Sequence, residues 1–94
     1  MEQVMVVGCD LHEKSLVLQV ACGTGVPVLK RFENSRVDRL LMIDWLRARA
    51  KEWRVVRIVF AFEASGQGFG LCDELQAAGI ECHVLAPSKL PRSR

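Results

Sequence analysis

Val55-Val56-Arg57-Ile58-Val59-Phe60-Ala61-Phe62-Glu63 is a long apolar run that stops on a carboxylate. Its valine, isoleucine and phenylalanine content suits a pleated, buried backbone, so the stretch reads as a strand. It follows a segment of helical spacing. A strand reached through a helix and lying in the same sheet needs a crossover connection, which makes it parallel to an earlier strand. The earlier run of the same kind is Val4-Met5-Val6-Val7-Gly8-Cys9, which ends on Asp10. Side by side and parallel, the two runs bring Asp10 and Glu63 out at the same sheet edge. Ligands of open α/β sheets bind outside the carboxyl ends of strands, and two hard oxygen donors there suit a divalent cation.

Val4 to Cys9 is nearly continuous in apolar residues, as expected of a central strand buried on both faces. Leu11-His12-Glu13-Lys14-Ser15 is a hairpin-length loop to a second strand, Leu16 to Ala21, and Cys22-Gly23-Thr24-Gly25 is a second turn. Val26 to Phe32 makes a third strand, and Pro27, with no N–H for a ladder, places it at an edge. The sheet thus opens as an antiparallel meander. Asn34-Ser35 followed by Asp38 has the form of a helix N-terminus, and Val37, Leu40, Leu41, Trp45 and Ala48 recur at helical spacing as the packing stripe of a helix reaching about Ala50. After Glu63, Ala64-Ser65-Gly66-Gln67-Gly68 is a glycine-containing turn. Phe69, Cys72, Leu75 and Ala78 then predict a second helix stopped by Gly79, and Ile80 to Ala86 a fifth strand ended by Pro87. The predicted order is βββαβαβ, an α/β unit on a mixed five-stranded sheet. No helix is predicted after the last strand, which suggests a unit truncated before its C-terminal helix.

A chain of 94 residues with 50% hydrophobic content suits one domain, residues 1–94, with one core. Thirteen Lys and Arg against 11 Asp and Glu give a net charge of +2, too small to argue for nucleic acid by itself. Arg36, Arg39, Arg47, Arg49, Lys51 and Arg54 gather along the first helix, where a solvated face is the plain reading. The C-terminal Lys89-Leu90-Pro91-Arg92-Ser93-Arg94 offers Lys89 and Arg92 as candidate phosphate contacts. Cys9, Cys22, Cys72 and Cys82 lack CxxC spacing and read as reduced, mostly buried residues of a cytoplasmic protein. A zinc site from Cys9, His12, Cys82 and His83 is disfavoured, because adjacent Cys82 and His83 point to opposite faces of a strand. No apolar stretch approaches the ~18 residues of a membrane span, so no membrane partner is expected.

Asp10 alone fits a turn-forming aspartate whose side chain bonds the next backbone amides. Glu63 fits that reading poorly, since glutamate is a weak turn former and a carboxylate closing a buried run costs desolvation unless partnered. Together, Asp10 and Glu63 are the candidate catalytic and metal-binding residues, with Glu13, Asp73 and Glu74 as the other acids in reach. His12 and Lys14 flank Asp10 and are candidate nucleic-acid contacts, the alternative being solvated hairpin residues. Gly66-Gln67-Gly68-Phe69-Gly70 lacks both GxGxxG and a Lys-Ser/Thr pair, so it reads as a loose turn rather than a phosphate cradle. Ser65 has no neighbouring base to activate it as a nucleophile and is kept as a candidate nucleic-acid contact. Trp45 and Trp53 read as packing residues.

Four collinear blocks carry a resemblance across nearly the whole chain: Val7-Gly8-Cys9-Asp10-Leu11-His12-Glu13-Lys14-Ser15-Leu16, Phe32-Glu33-Asn34-Ser35, Phe62-Glu63-Ala64-Ser65-Gly66, and His83-Val84-Leu85-Ala86-Pro87-Ser88-Lys89. They resemble the N-terminal domain of DEDD-type insertion-sequence transposases, the group named after insertion sequence 110. The resemblance implies a RuvC-like, ribonuclease H-like catalytic domain, with Asp10 as the first D and Glu63 as the E of DEDD. Two further aspartates and a C-terminal domain with a serine acting in strand exchange would lie on a segment this sequence lacks. It further implies a Mg2+ (or Mn2+) cofactor, DNA as partner, an element-encoded guide RNA in some members, and a homo-oligomeric full-length protein. With half of the acids, the fragment itself is expected to be inert.

Other classes fit parts of the pattern. A Holliday-junction nuclease of the same fold would place its acids alike. A sugar-kinase-like or actin-like ATPase shares the core topology, yet expects glycine and Ser/Thr after the first acid where this chain has Leu11-His12. A non-catalytic nucleic-acid-binding module is the third.

Overall fold

In a computed structural model, which describes residues 3–23, 25–63 and 69–85, the chain forms seven elements in the expected order. They are β1 (Val4–Leu11), β2 (Ser15–Cys22), β3 (Val28–Glu33), α1 (Arg36–Glu52), β4 (Arg57–Glu63), α2 (Phe69–Ala77) and β5 (Glu81–Leu85). The strands make one five-stranded sheet in the order β3-β2-β1-β4-β5. β1, β2 and β3 pair antiparallel, and the crossover lands β4 parallel to β1, with β5 parallel to β4. β3 takes an edge, as Pro27 required, and the proline lies just before the strand.

Both helices cover the same face of the sheet. Met5 and Val7 of β1, Leu16, Leu18 and Val20 of β2, and Phe60 and Phe62 of β4 are buried there against Met42, Ile43, Leu46 and Ala50 of α1 and Leu71 and Leu75 of α2. Phe60 and Phe62 meet edge to face with centroids 6.2 Å apart.

Among the described residues nothing covers the opposite face, which corrects the expectation of a first strand buried on both sides. β1 alternates rather than being buried throughout, with Val6 50% exposed and Gly8 exposed at mid-strand. A Cβ built on Gly8 would meet no atom within 4 Å. A continuous apolar run is compatible with two covered faces but does not supply the second cover.

The helix stripe is also corrected. Val37, Leu40 and Leu41 are exposed, while Met42, Ile43, Leu46 and Ala50 are buried. Residues 40–43 are apolar all round, so helical spacing alone admits two stripes about one residue apart. Ser35 caps α1 by accepting from the Asp38 amide at 3.2 Å, while Asp38 Oδ2 accepts from the Glu33 amide at 3.0 Å, which sets where the helix starts; packing on the sheet decides which stripe is used.

Both helices end in the same way. Beyond α1, the Val55 amide donates to the Ala50 carbonyl and Arg54 takes a left-handed φ of 57°. Beyond α2, the Ile80 amide donates to the Leu75 carbonyl and Gly79 sits at φ 80°. These are Schellman caps, one built on glycine and one on arginine. Among the described residues no helix is long and apolar enough to cross a membrane.

Candidate functional site at the carboxyl edge of the sheet

β1 and β4 are neighbours in parallel register, with Gly8 beside Ala61 and Cys9 beside Phe62. One step further along this register lie Asp10 and Glu63, on adjacent strands about 4.8 Å apart. Alternation puts both on the open face with Gly8 and Ala61, and both are exposed. They line a depression of about 700 Å³ whose other walls include Gly8, Gln19, Leu29 and Leu85.

Two features of the carboxylates differ from expectation. Asp10 belongs to β1, which continues to Leu11, so it is a strand residue and not a turn former. Its Oδ2 meets His12 Nε2 at 3.0 Å rather than capping the following amides. Glu63 is exposed at the end of β4, so the desolvation argument for a partner does not apply to it. What distinguishes the pair is its placement.

His12 and Lys14 lie in the three-residue loop 12–14 that joins β1 to β2, shorter than expected because the flanking strands extend to Leu11 and Ser15. Both are exposed. Of the two, His12 is brought onto Asp10. Ser65, Lys89 and Arg92, and the glycine-rich turn between β4 and α2, lie outside the described residues.

Two other acids, Glu74 and Glu81, are paired elsewhere, while Glu13 and Asp73 are exposed. Glu74 of α2 pairs with Arg39 of α1, Nε to Oε1 at 2.7 Å and Nη2 to Oε2 at 3.2 Å, so Arg39 is withdrawn from the basic face expected along that helix. At the opposite end of the open face, Glu81 accepts from Arg57 at 2.7 and 2.9 Å and also contacts His83. These partners hold the Glu81 carboxyl down to about 2, the Arg57 hydrogen bond being the larger cause and that of His83 the next. Glu81 is thereby neutralised by its neighbours. Among the described residues no carboxylate of the open face other than Asp10 and Glu63 stands at the carboxyl end of the two central parallel strands.

The cysteines are free and each is partly buried, in keeping with their apolar settings, with Cys9, Cys72 and Cys82 packed against the core. Cys9 and Cys82 lie on the helix-covered side. Burial pushes the Cys9 thiol up to about 12, with the Asp10 charge adding to it, and burial likewise raises Cys82 to about 12. Such thiols are poor metal ligands and poor nucleophiles at neutral pH. Cys82 and His83 do face opposite sides of β5, and no group of three or more His, Cys, Asp or Glu side chains able to hold a metal ion occurs among the described residues.

Sequence reading missed Asn34. Its side-chain amide donates to the carbonyls of His12 at 2.9 Å and Glu13 at 3.3 Å, and its backbone amide donates to the Lys14 carbonyl at 3.0 Å. The residue was legible only as part of a helix entry, because its partners lie 20 to 22 positions upstream.

No family model matches the chain. In sequence it is similar to a transposase for insertion sequence element IS1533 from Leptospira borgpetersenii, at 24% identity over 92 residues. That match takes in 98% of this chain and 26% of the relative, so the chain spans about a quarter of the transposase's length. In structure it is similar to an exopolyphosphatase from Cytophaga hutchinsonii, with a TM-score of 0.57 at 12% identity, covering 90% of this chain and 34% of the other. A Ppx/GppA family member from Aquifex aeolicus gives a TM-score of 0.50 at 15% identity, covering 90% and 36%. At these identities the likeness is one of α/β fold alone. The sequence similarity ties the chain to a transposase at low identity.

Proposed function

We propose that the chain is the N-terminal part of a RuvC-like, ribonuclease H-like catalytic domain in a DEDD-type DNA transposase of the insertion sequence 110 group, a metal-dependent recombinase that cuts and rejoins DNA. The observation that carries this reading is the placement of Asp10 and Glu63 on the open face, next to each other at the carboxyl ends of two parallel strands. The similarity to the Leptospira transposase over 92 residues supports the coarser reading of a transposase.

The donor set fits the proposed ion. Mg2+ prefers oxygen ligands, keeps several waters, and is commonly bound through one or two carboxylates, so two exposed acids on a shared edge meet its needs without a closed protein cage. Asp10 and Glu63 would hold Mg2+ or Mn2+, which when bound activates a water or hydroxyl and stabilises charge on a phosphodiester oxygen. Further acids from a downstream segment would complete a four-acid set. The chain's own residues supply orientation. His12 holds one oxygen of Asp10 and leaves the other free, and the exposed 12–14 loop brings Lys14 to the same edge, where its charge suits a DNA phosphate. Ser65, Lys89 and Arg92 are proposed as additional nucleic-acid contacts.

Titration of Mn2+ into the chain, followed by paramagnetic broadening in NMR spectra, tests the reading. Broadening centred on the amides around Asp10 and Glu63, abolished by Asp10→Asn or Glu63→Gln, is the expected result. Broadening centred elsewhere, or unaltered by either substitution, would sink it.

A further inference from the structure

The structure assigns a positioning role to Asn34, Arg39 and Glu74: together they clamp the loop after β1 and thereby hold His12 against Asp10. This deepens the metal-site reading above and rests on it for its functional meaning.

The clamp begins with three successive carbonyls. The loop between β1 and β2 consists of His12, Glu13 and Lys14, and Asn34 donates to all three of their carbonyl oxygens, from Nδ2 to His12 and Glu13 at 2.9 and 3.3 Å and from its backbone amide to Lys14 at 3.0 Å. The loop closes on itself through one further bond, from the His12 amide to the Ser15 carbonyl at 2.8 Å. A short exposed loop with that single internal bond would exchange among conformations. Asn34 instead ties every carbonyl of it to the entry of α1.

Arg39 decides which way the Asn34 amide faces. A guanidinium has donors only, so the Asn34 atom meeting Arg39 Nη1 at 3.0 Å must be Oδ1, and Nδ2 is directed at the loop. Arg39 is in turn held by both oxygens of Glu74 in a fork that fixes its plane. The side chains of Arg39 and Glu74 are 21% and 24% exposed, so the pair is more shielded from water than any other ion pair of the described residues. The backbone on either side of Asn34 is pinned as well, by the Glu33 amide on Asp38 and the Asp38 amide on Ser35.

The connectivity links the two halves of the site. The clamped loop follows β1, which carries Asp10, while Glu74 sits on α2, the helix that follows β4 and Glu63. One hydrogen-bonded path therefore runs from the helix after one carboxylate to the loop after the other. At its end His12 Nε2 meets Asp10 Oδ2 at 3.0 Å, which sets the rotation of the Asp10 carboxylate. Groups that orient metal ligands in this way typically change metal affinity by about ten- to a hundredfold when removed.

Two substitutions on the full chain test the clamp. Asn34→Asp keeps the shape and the Arg39 contact but replaces the donor that faces the loop by an oxygen, and Arg39→Gln breaks the fork to Glu74. In both, exchange of the His12 amide should accelerate at least about tenfold while amides of the buried strand residues Val7 and Phe60 keep their rates, and Mn2+ affinity should fall about tenfold. Arg39→Lys, which retains charge but not the fork, should lie between. A merely structural role would lower protection throughout the sheet and leave the Mn2+ affinity of the folded chain unchanged, and that outcome overturns the inference. Unaltered His12 exchange in Asn34→Asp overturns it too. If the unsubstituted chain binds no Mn2+ at Asp10 and Glu63, the metal reading fails, and His12 exchange still decides whether the clamp holds the loop.

Discussion

The two faces of one sheet are built from the same strands and do opposite things. Toward the helices, Val7, Leu18, Phe60 and Leu46 are sealed from water. Toward solvent, Val6, Leu29 and Leu85 are 50 to 70% exposed and stand among charged residues, with Asp10 and Glu63 at one end and the Arg57, Glu81 and His83 cluster at the other. A strand's period of two sends neighbours to opposite sides, so each strand contributes to stability and to the candidate site with alternate residues. The lesson is one of separation: the acids can be exposed and mutually repulsive because the free energy of folding comes from the other side.

The largest effect that could break this contrast is Phe60→Ala. Removing a fully buried aromatic from the helix side should cost about 3–5 kcal/mol in urea unfolding, whereas Val6→Ala on the open side should cost well under about 1 kcal/mol. Similar costs for the two would mean that the open face is covered in solution. Next in size is Arg54→Gly, which changes the helix layer without touching a buried side chain. A non-glycine residue in the left-handed region is strained by roughly 1–2 kcal/mol, so glycine at this cap should raise stability by about 1 kcal/mol, and Gly79→Ala at the matching cap of α2 should lower it by a similar amount.

The open face should answer to acid where the buried face does not. The Arg57 and His83 contacts hold the Glu81 carboxyl down to about 2 in the folded chain, against an ordinary value of 4.5. A folded value below the unfolded one means that its contribution to stability is complete above about 4.5 and is lost as pH falls from there through about 2. Unfolding midpoints measured across that window should decline less steeply in Glu81→Gln than in the unsubstituted chain, and an identical slope would remove the Arg57 and His83 contacts from the account. The smallest effect expected is that of Asp10→Asn with Glu63→Gln, which should leave stability within about 0.5 kcal/mol. A larger loss would mean that these carboxylates stabilise the fold, against their reading as a site.

The order of elements was legible in the chain because its signals are local. Pro27 at an edge, Ser35 with Asp38 at a helix start, Gly79 at a helix stop, and apolar runs ending in acids each act through backbone geometry within a few residues. The neighbourhood of Asp10 and Glu63 followed from one further rule, that a strand reached through a helix runs parallel to its partner. Arg54 was not legible as a cap, since its left-handed backbone breaks the usual preference for glycine and leaves no compositional trace.

What the sequence determined by itself, then, was the succession of strands and helices and the meeting of two carboxylates at one edge. Only the tertiary structure decided which stripe of α1 is buried, that both helices share one face and leave the other open among the described residues, and that Arg39 turns inward to Glu74 to orient Asn34 instead of joining a basic surface. The physical reason is range. Periodicity states that a residue has a buried or an exposed option, but burial and hydrogen bonding are settled by partners dozens of positions away, and no pattern within the α1 segment carries the position of Glu74 or of the loop that Asn34 holds.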